Sequence, residues 1–310
     1  MRAYVTGAAG FVGHWLVAHL EQAGDEIVTP AAHVDVTDQA AMTAALVDAR
    51  PDAVYHLAGL AHVQPSWDDP AEYLRVNAGG TLNLLEAARR CAHPPRVLVI
   101  SSAEVYGGVQ AGQLPVVEDE PMRPVSPYAA SKAAAELVAV QAFLGRGVAA
   151  VRARPFNHAG PGQAGTFAIP AFARRIVEAQ RDGVEALRVG NLSARRDIVD
   201  VRDVVRAYRL LVERGEPGEA YNVCTGRSVE IGGLVERMLA LAGADLRLDV
   251  DPALLRPVDV AELRGDPSRL RAVTGWEAEI PLDETLGAVL DEARAAVRAQ
   301  AAEASPPGPT

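Results

Sequence analysis

Two residues four positions apart, Tyr128 and Lys132, carry the clearest chemical signal in this sequence. Residues at i and i+4 share one face of a helix, so the lysine ammonium can approach the phenol. A free phenol has a pKa of about 10 and exchanges protons poorly at neutral pH. Because a neighbouring cation favours the phenolate, we expect Lys132 to lower the pKa of Tyr128. A Tyr–Lys pair at this spacing is common on helix surfaces, so the neighbouring motifs must show whether this pair is catalytic.

The elements that must position this pair alternate between short apolar runs and helical stretches. Strands are predicted at residues 2–6, 26–29, 53–57, 96–101 and 149–154. This βαβα rhythm predicts an α/β fold with a Rossmann-type doubly wound parallel sheet, and ligands bind such sheets beyond the carboxyl ends of the strands. We assign residues 1–155 to a dinucleotide-binding domain to which later segments return. Residues 156–300 are assigned to a smaller C-terminal substrate-binding lobe, and 301–310 to a disordered tail.

A glycine-rich loop follows the first predicted strand and opens a helix. Gly7, Gly10 and Gly13 have the spacing G-x-x-G-x-x-G and enclose Phe11 and Val12. The first glycine permits a tight turn, the second lets the backbone approach a pyrophosphate, and the third allows close helix–strand packing. The helix N-terminus adds donors and a partial positive charge. The loop therefore predicts a dinucleotide site rather than a surface turn.

The end of the second strand bears on which dinucleotide is bound. Thr29–Ala32 contains neither the acid that would bind a ribose 2′-hydroxyl nor an arginine for a 2′-phosphate. Without that acid nothing repels a 2′-phosphate, so NADP(H) is favoured, with NAD(H) as the alternative. Asp35, which precedes Val36, could accept a hydrogen bond from the adenine amine or could serve as a turn or cap residue.

Further motifs occur in a fixed order along the chain. They are Leu57-Ala58-Gly59, Ser101-Ser102-Ala103-Glu104-Val105-Tyr106-Gly107, the Tyr128–Lys132 pair, Arg154-Pro155-Phe156-Asn157-His158-Ala159-Gly160-Pro161-Gly162-Gln163, Val189-Gly190-Asn191-Leu192, Arg195–Asp203 and Tyr221–Gly226. From about Met1 to Leu290, the chain resembles an extended short-chain dehydrogenase/reductase of the nucleotide-sugar branch. The resemblance implies that the nicotinamide cofactor contacts Gly7, Gly10, Phe11, Val12, Gly13, Asp35, Val36, Leu57, Ala58, Gly59, Tyr128 and Lys132.

The resemblance also implies the catalytic roles. Ser102 matches the hydroxyl that polarises the substrate carbonyl, and Tyr128 matches the residue that protonates the developing alkoxide. Lys132 matches the lysine that lowers the tyrosine pKa and binds the nicotinamide ribose. The implied reaction is NADPH-dependent reduction of the 4-keto group of a nucleotide-linked 4-keto-6-deoxy-hexose. With GDP as the favoured nucleotide, GDP-4-keto-6-deoxy-D-mannose would give GDP-D-rhamnose or its C4 epimer, GDP-6-deoxy-D-talose.

One departure from the resemblance concerns the triplet Ser102-Ala103-Glu104. Related 4,6-dehydratases carry Thr-Asp-Glu or Thr-Ser-Glu here and eliminate water across C5 and C6. Alanine cannot donate a proton, which weakens a dehydratase assignment, while Glu104 could be a catalytic base or an acid that caps a loop. A 4-epimerase or 4,6-dehydratase remains the enzymatic alternative. A non-catalytic NAD(P)-binding redox sensor is the alternative from another class, although such proteins commonly lose the Tyr–Lys pair.

On the substrate side, the resemblance implies a site that holds a diphosphate. Its implied members are Asn157 at the diphosphate or sugar, Arg256 at the diphosphate, Arg196 at the diphosphate or nucleoside, Asp259 at the ribose hydroxyls, Ser66 at the sugar, and Val189. A planar guanidinium suits phosphate oxygens and a carboxylate suits a cis-diol. The alternative for each arginine is a surface salt bridge, and for Ser66 it is loop capping.

Bulk composition argues against several other classes. A formal net charge of −10 over 310 residues disfavours a nucleic-acid partner, and no apolar run approaches the length of a membrane span. Cys91 and Cys224 form neither a disulfide framework nor a zinc signature, and the N-terminus lacks a signal-peptide pattern, so we expect a cytoplasmic protein without a metal site. By resemblance, helices near residues 72–89 and 128–143 form the faces of a homodimer.

Overall fold

The strands of the first half of the chain are short and almost entirely apolar, so they pair into a sheet that is covered on both faces. The structure, a computed structural model, describes residues 1–31, 34–254 and 260–304. Its strands are β1 (Arg2–Thr6), β2 (Glu26–Val28), β3 (Ala53–His56), β4 (Arg96–Ile100), β5 (Ala150–Pro155), β6 (Asn157–Ala159), β7 (Ala186–Val189), β8 (Arg195–Asp200), β9 (Ala220–Val223), β10 (Ser228–Glu230), β11 (Arg247–Val250) and β12 (Glu262–Leu263).

Helices connect these strands and surround them. The α-helices are α1 (Phe11–Gln22), α2 (Gln39–Ala49), α3 (Pro70–Tyr73), α4 (Gly80–Arg90), α5 (Pro127–Arg146), α6 (Ala168–Asp182), α7 (Val201–Arg214), α8 (Ile231–Ala242), α9 (Ser268–Thr274) and α10 (Leu282–Ala304). Short 3₁₀ turns cover Gln64–Trp67, Ala103–Tyr106, Ala111–Gln113 and Pro252–Leu254, and a π-helical turn covers Leu74–Gly79.

Six strands form one parallel sheet in the order β2-β1-β3-β4-β5-β9. The chain places β2 on one side of β1 and then β3 on the other, so the topological switch point lies between β1 and β3. Ligands of open α/β sheets bind in the crevice beyond the carboxyl ends of the strands at such a point. The predicted Rossmann-type doubly wound fold is therefore confirmed.

Both faces of this sheet are covered by amphipathic helices. Helices α1 and α7 bury Leu16, Leu20, Val204, Tyr208 and Leu211 against one face. Helices α2, α4 and α5 bury Met42, Leu46, Leu84, Leu85 and Ala139 against the other. Spacings of three and four residues between the buried positions place them on one side of each helix, which is why the helices pack on the sheet.

The later part of the chain forms a second, smaller layer of short strands and helices. Some of its elements return to the first layer, which is the six-stranded sheet with the helices on its two faces. Strand β8 pairs with β6, β10 and β12, and β7 pairs with β11. Helices α6, α8 and α10 enclose an apolar core that includes Ile176, Leu234, Met238, Leu286 and Leu290. Strand β9 joins the main sheet beside β5, and α7 packs on α1, so both belong to the first layer.

Two segments differ from the sequence-based expectation. Residues 72–89, predicted as one helix, run from α3 through the π-helical turn into α4. Helix α10 continues to Ala304, four residues into the segment predicted to be disordered, and residues 305–310 lie outside the described part. None of the helices in the described ranges is long and apolar enough to cross a membrane.

Candidate active site

The glycine loop lies directly against the residues that follow β3. Gly7 has a φ of +70°, and a Cβ on it would lie 2.8 Å from the Ala58 amide nitrogen and 2.9 Å from the Leu57 carbonyl carbon. A Cβ on Gly13 would lie only 2.2 Å from the Gly7 oxygen. Side chains are therefore excluded at both positions, and the backbone remains open to a ligand at the N-terminus of α1, which begins at Phe11.

The loop after β3 connects the glycine loop to helix α5, which carries Tyr128 and Lys132. The Ala58 amide donates to Thr6 Oγ1 at 3.1 Å, which fixes this loop to the end of β1. A Cβ on Gly59 would lie 3.6 Å from Lys132 Nζ. The structure thus brings together Gly7, Ala58, Gly59 and Lys132, which are predicted to contact one cofactor.

Tyr128 and Ser102 also meet at this edge of the sheet. Ser126 caps α5 by accepting a hydrogen bond from the Ala129 amide at 3.1 Å, so Tyr128 lies in the first turn of the helix. Ser102 follows β4, caps the 3₁₀ turn Ala103–Tyr106, and makes a side-chain hydrogen bond with Tyr128. The Tyr128 ring also meets the Tyr73 ring edge-on, with ring centroids 6.4 Å apart. Ser102 and Tyr73 therefore both contact Tyr128.

The expected lowering of the Tyr128 pKa is wrong for the chain as it stands. Burial, with smaller contributions from Glu104 and Tyr73 and against the opposing effect of the Ser102 hydrogen bond, raises the pKa of Tyr128 to about 12. The i, i+4 spacing reports that Lys132 is near but not how deeply the phenol is buried, and burial has the larger effect. Tyr128 consequently holds its proton throughout the neutral range.

Lys132 is the only lysine in the sequence, and it is buried. Its Nζ donates to the Ile100 carbonyl oxygen at 2.8 Å. Burial lowers the pKa of Lys132 to about 8, and the carboxylate of Glu136 opposes this effect. His56, at the end of β3, stays neutral because burial, with a contribution from Lys132, lowers its pKa to about 3. Lys132 therefore titrates closest to neutrality in this group.

Asn77 is a buried residue of this region that the sequence analysis does not single out. It lies buried in the π-helical turn, where its Oδ1 accepts from the Leu60 amide at 2.8 Å and its Nδ2 donates to the Leu60 carbonyl at 3.1 Å and to Ser131 Oγ at 2.8 Å. Ser131 in turn donates to the Tyr128 carbonyl at 2.7 Å. Asn77 thus links the loop after β3 to α5. Its sequence signal is an amide followed by Gly79-Gly80 inside an amphipathic helix, and π-helical turns often occur at functional sites.

The middle residue of the triplet, Ala103, packs into an apolar cluster. It is buried with Val105, Val116, Phe156 and Leu263. Its neighbour Glu104 is half-buried, and its amide donates to Ser102 Oγ at 3.2 Å. The position at which related dehydratases carry aspartate or serine is therefore occupied by a methyl group within an apolar cluster.

Asp35 and Val36 lie at the end of the sheet beyond β2. Asp35 accepts hydrogen bonds from the Thr37 amide at 2.8 Å and the Thr37 hydroxyl at 2.9 Å, and these bonds lower the pKa of its carboxyl. Its side chain thus forms a turn, one of the two roles weighed from the sequence, and a contact with adenine stays a prediction. Val36 is buried beside Gly80, where a Cβ would lie 2.8 Å from Val36 Cγ2.

Four of the six predicted substrate residues lie in the described part of the chain. Asn157 is exposed on β6, in a segment held near the glycine loop by the stacking of His158 on Phe11, with ring centroids 6.2 Å apart. Arg196 donates to the carbonyl oxygens of Arg195 and Val260.

Ser66 and Val189 make other contacts. The buried Ser66 hydroxyl donates to the Val63 carbonyl at 2.6 Å, which is the loop-capping alternative, and the Val189 side chain is buried in the core of the second layer. Arg256 and Asp259 lie outside the described residues. A substrate role for each of these residues stays a prediction.

This arrangement of sheet, glycine loop, serine, tyrosine and lysine is that of the extended short-chain dehydrogenase/reductases, the class that the motifs indicate. Within that class, the chain belongs to the GDP-mannose 4,6-dehydratase family, whose model matches residues 30–289.

Individual relatives refine this assignment. The chain is 40% identical over 301 residues to a GDP-6-deoxy-D-mannose reductase of Pseudomonas aeruginosa, covering 96% of this chain and 98% of that protein. It is 30% identical over 280 residues to a GDP-mannose 4,6-dehydratase of Vibrio cholerae, covering 81% of this chain and 75% of that protein. The solved structure of RMD from Pseudomonas aeruginosa complexed with NADPH superposes with a TM-score of 0.89, at 37% identity, covering 95% of this chain and 99% of that one.

Proposed function

We propose that this protein reduces the 4-keto group of GDP-4-keto-6-deoxy-D-mannose to a hydroxyl, with NADPH as the reductant. The observation that carries the proposal is a protonated Tyr128, hydrogen-bonded to Ser102, beside an alanine at the position where related dehydratases carry aspartate or serine. The greater identity and coverage with the reductase than with the dehydratase support it.

The residues at the switch point fit a nicotinamide dinucleotide. Gly7 and Gly13 leave no room for side chains, so the first turn of α1 and the loop Leu57-Ala58-Gly59 can approach a pyrophosphate and its riboses. The described end of β2, Thr29–Ala31, contains no acid to repel a 2′-phosphate, which favours NADPH over NADH. When bound, the reduced nicotinamide supplies the hydride that C4 of the sugar accepts.

The chain itself supplies the proton and the charge stabilisation. As the C4 oxygen gains negative charge, Ser102 donates a hydrogen bond to it and Tyr128 transfers its phenolic proton to it. The raised pKa of Tyr128 keeps that proton in place until the alkoxide forms. The Lys132 ammonium then stabilises the resulting phenolate from one helical turn away. Reduction of the carbonyl requires that Tyr128 is protonated before the reaction begins.

The same site argues against the enzymatic alternative. A 4,6-dehydratase needs an acid and a base to remove water, and Ala103 offers no proton. An acid at this position would have to displace the apolar contacts of Ala103 with Val105 and Phe156. We therefore assign Glu104, whose amide is bound to Ser102, to shaping the 3₁₀ turn beside Tyr128.

The assay follows directly from this assignment. Purified protein mixed with NADPH and GDP-4-keto-6-deoxy-D-mannose should consume the nicotinamide absorbance and release a GDP-6-deoxyhexose that is identified by NMR. Incubated with GDP-mannose instead, the protein should form no 4-keto product. Absence of turnover with the keto sugar, or water elimination from GDP-mannose, would contradict the proposal.

For the substrate, we propose that Asn157 and Arg196 line the path of the diphosphate, which Arg256 also binds. Asp259 is proposed to accept the ribose hydroxyls and Ser66 to contact the sugar, with Val189 as a further member of the substrate site. The support for Asn157 is its exposure on β6 next to the Phe11–His158 stack. Arg196 lies on β8, which pairs with β6, so both residues belong to one short sheet. Bidentate arginine contacts suit a diphosphate in a protein with a net charge of −10.

We further propose that the protein is a homodimer and acts in the cytoplasm. Leu137 and Leu144, seven residues apart on α5, are 59% and 76% exposed, and Leu74 and Leu82 are exposed on the adjoining helical segments. Such exposed leucines on neighbouring helices favour burial against a second copy. Both cysteines are free thiols, which suits a reducing compartment.

Leu137→Glu is expected to shift the protein from dimer to monomer, because it places a charge in the proposed interface. Sedimentation velocity at micromolar concentration measures the change. Leu241→Glu, an exposed leucine on α8, is the matched control and should leave the dimer intact. A monomeric wild type, or a dimer that withstands Leu137→Glu, would contradict the α5 interface.

A further inference from the structure

Glu136 lies on the same face of α5 as the catalytic pair. It follows Lys132 by one helical turn and Tyr128 by two, and its side chain is 0% exposed. A fully buried carboxylate is costly unless it is paired and hydrogen-bonded. The side chains that bind the Glu136 carboxylate therefore indicate its role in the site.

The Glu136 carboxylate is the centre of a buried network. Arg154 on β5 donates to it in a bidentate manner, with Nε to Oε1 and Nη2 to Oε2 both at 2.8 Å. Arg152 Nη1 donates to Oε2 at 3.2 Å. The hydroxyl of Ser101 donates to Oε1 at 2.5 Å. Helix α5, strand β5 and the end of β4 are thus joined at one group.

The contact with Ser101 connects this network to the reacting groups. Ser101 lies between Ile100, whose carbonyl accepts from Lys132 Nζ, and Ser102, which bonds to Tyr128. One short segment therefore carries a hydrogen-bonding partner for each member of the pair. Glu136 fixes the middle of that segment.

The buried cations of this region also require the negative charge of Glu136. The titratable and charged groups around it are Lys132 and Tyr128 on α5, Arg152 and Arg154 on β5, His56 on β3, Tyr106 in the 3₁₀ turn and Glu118 in the following loop. Glu118 is engaged with Arg269 and with the Asn222 amide. Without Glu136, the cations Lys132, Arg152 and Arg154 would share the interior near the site with no carboxylate of the described residues bound between them.

We infer that Glu136 is the positioning residue of this site, fixing through Ser101 the strand end that carries Ser102 and holding a negative charge one helical turn from the Lys132 ammonium. The inference builds on the proposed reductase function, since it assigns a supporting residue to the same proton-transfer group. The Arg154 guanidinium orients the carboxylate, and Arg152 contributes a second, weaker contact.

The single lysine makes this inference measurable without turnover. Protein grown with ¹³C-lysine has one lysine side-chain signal, so the titration of Lys132 can be followed by NMR without assignment. We expect a wild-type midpoint near 8. In Glu136→Gln the midpoint should fall by at least about one pH unit, because an opposing charge is removed. The kcat should fall by about 10- to 100-fold with KM little changed, since substrate contacts stay in place.

Two further variants separate charge from fold. Glu136→Asp keeps the charge and should hold the lysine midpoint near the wild-type value. Asp203→Asn, the matched control, removes a buried carboxylate that accepts from the Glu279 and Ile280 amides, and should leave the midpoint unchanged. An unchanged midpoint in Glu136→Gln overturns the inference, whatever the substrate of the enzyme is.

Ser101→Ala provides the test if Glu136→Gln does not fold. It removes one buried hydroxyl and should lower kcat while leaving both KM and the lysine midpoint in place. Wild-type kcat in Ser101→Ala would overturn the positioning role. Because the midpoint is read without substrate, failure of the inference is distinguishable from an incorrect choice of nucleotide sugar.

Discussion

Tyr128→Phe is expected to lower kcat/KM for the keto sugar by about 10²- to 10⁴-fold, the usual contribution of a positioned general acid. The substitution removes only the hydroxyl that we propose as the proton donor to the C4 oxygen. The ring keeps its edge-on contact with Tyr73 and its place in the first turn of α5. Fluorescence titration with NADPH should therefore give an unchanged Kd, whereas steady-state kinetics should show the loss in kcat.

The chain offers a matched control for this substitution. The hydroxyl of Tyr208 is buried and has no hydrogen-bond partner within the described residues, so Tyr208→Phe should leave kcat unchanged. Equal activity of the two variants would remove Tyr128 from the mechanism.

The pH profile of the wild-type enzyme gives a second test of the roles of Tyr128 and Lys132. The pKa of Tyr128 is raised to about 12, so the proton to be transferred is present across the working range. An alkaline decline in kcat near pH 8 would then belong to Lys132, which loses its charge as the pH rises through about 8.

Lys132→Met is expected to lower kcat by about 10²- to 10³-fold, as for the loss of one preorganised electrostatic group. It should at the same time raise the free energy of unfolding. Burial lowers the pKa of Lys132 from 10.5 to about 8, which corresponds to a cost of about 3 kcal/mol for the buried ammonium at pH 7. Loss of the hydrogen bond to the Ile100 carbonyl offsets about 1–2 kcal/mol of that gain. A net increase of about 1–2 kcal/mol remains.

The sign of the pH dependence follows from the same shift. The cost of the buried ammonium is fully present below about pH 8 and disappears as the pH rises toward 10.5, where the unfolded lysine also loses its proton. Urea denaturation should show wild-type stability rising over this interval and the Lys132→Met variant lacking that rise. A variant that is less stable than the wild type at pH 7 would mean that the lysine contributes more through its contacts than its burial costs.

The fold was accessible from the sequence wherever apolar periodicity was strong. Strand β1 has the bounds 2–6 that the pattern predicts, and the other four predicted strands differ from the observed ones by no more than one residue at either end, because short apolar runs are encoded locally. The glycine loop and the Ser102–Tyr128–Lys132 set were also predictable, because their spacing within each motif is itself the signal.

Contacts across the fold were not accessible in this way. Asn77 acts through Leu60 and Ser131, residues far from it in the chain, and its π-helical turn interrupts a segment that reads as one helix. The pKa of Tyr128 depends on burial, which no local spacing reports. The turn formed by Asp35 and the cap formed by Ser66 are likewise three-dimensional outcomes of alternatives that were evenly balanced in the sequence.

The solitary lysine has a consequence for covalent chemistry on this protein. Every other basic side chain is a guanidinium or an imidazole, so amine-directed acylating reagents find one side-chain target, and it lies at the wall of the dinucleotide crevice beside Gly59. A ligand that fills the crevice shields that nitrogen. The fraction of protein molecules that carry the added mass on Lys132 would therefore report the fraction of sites that are empty in an unpurified sample.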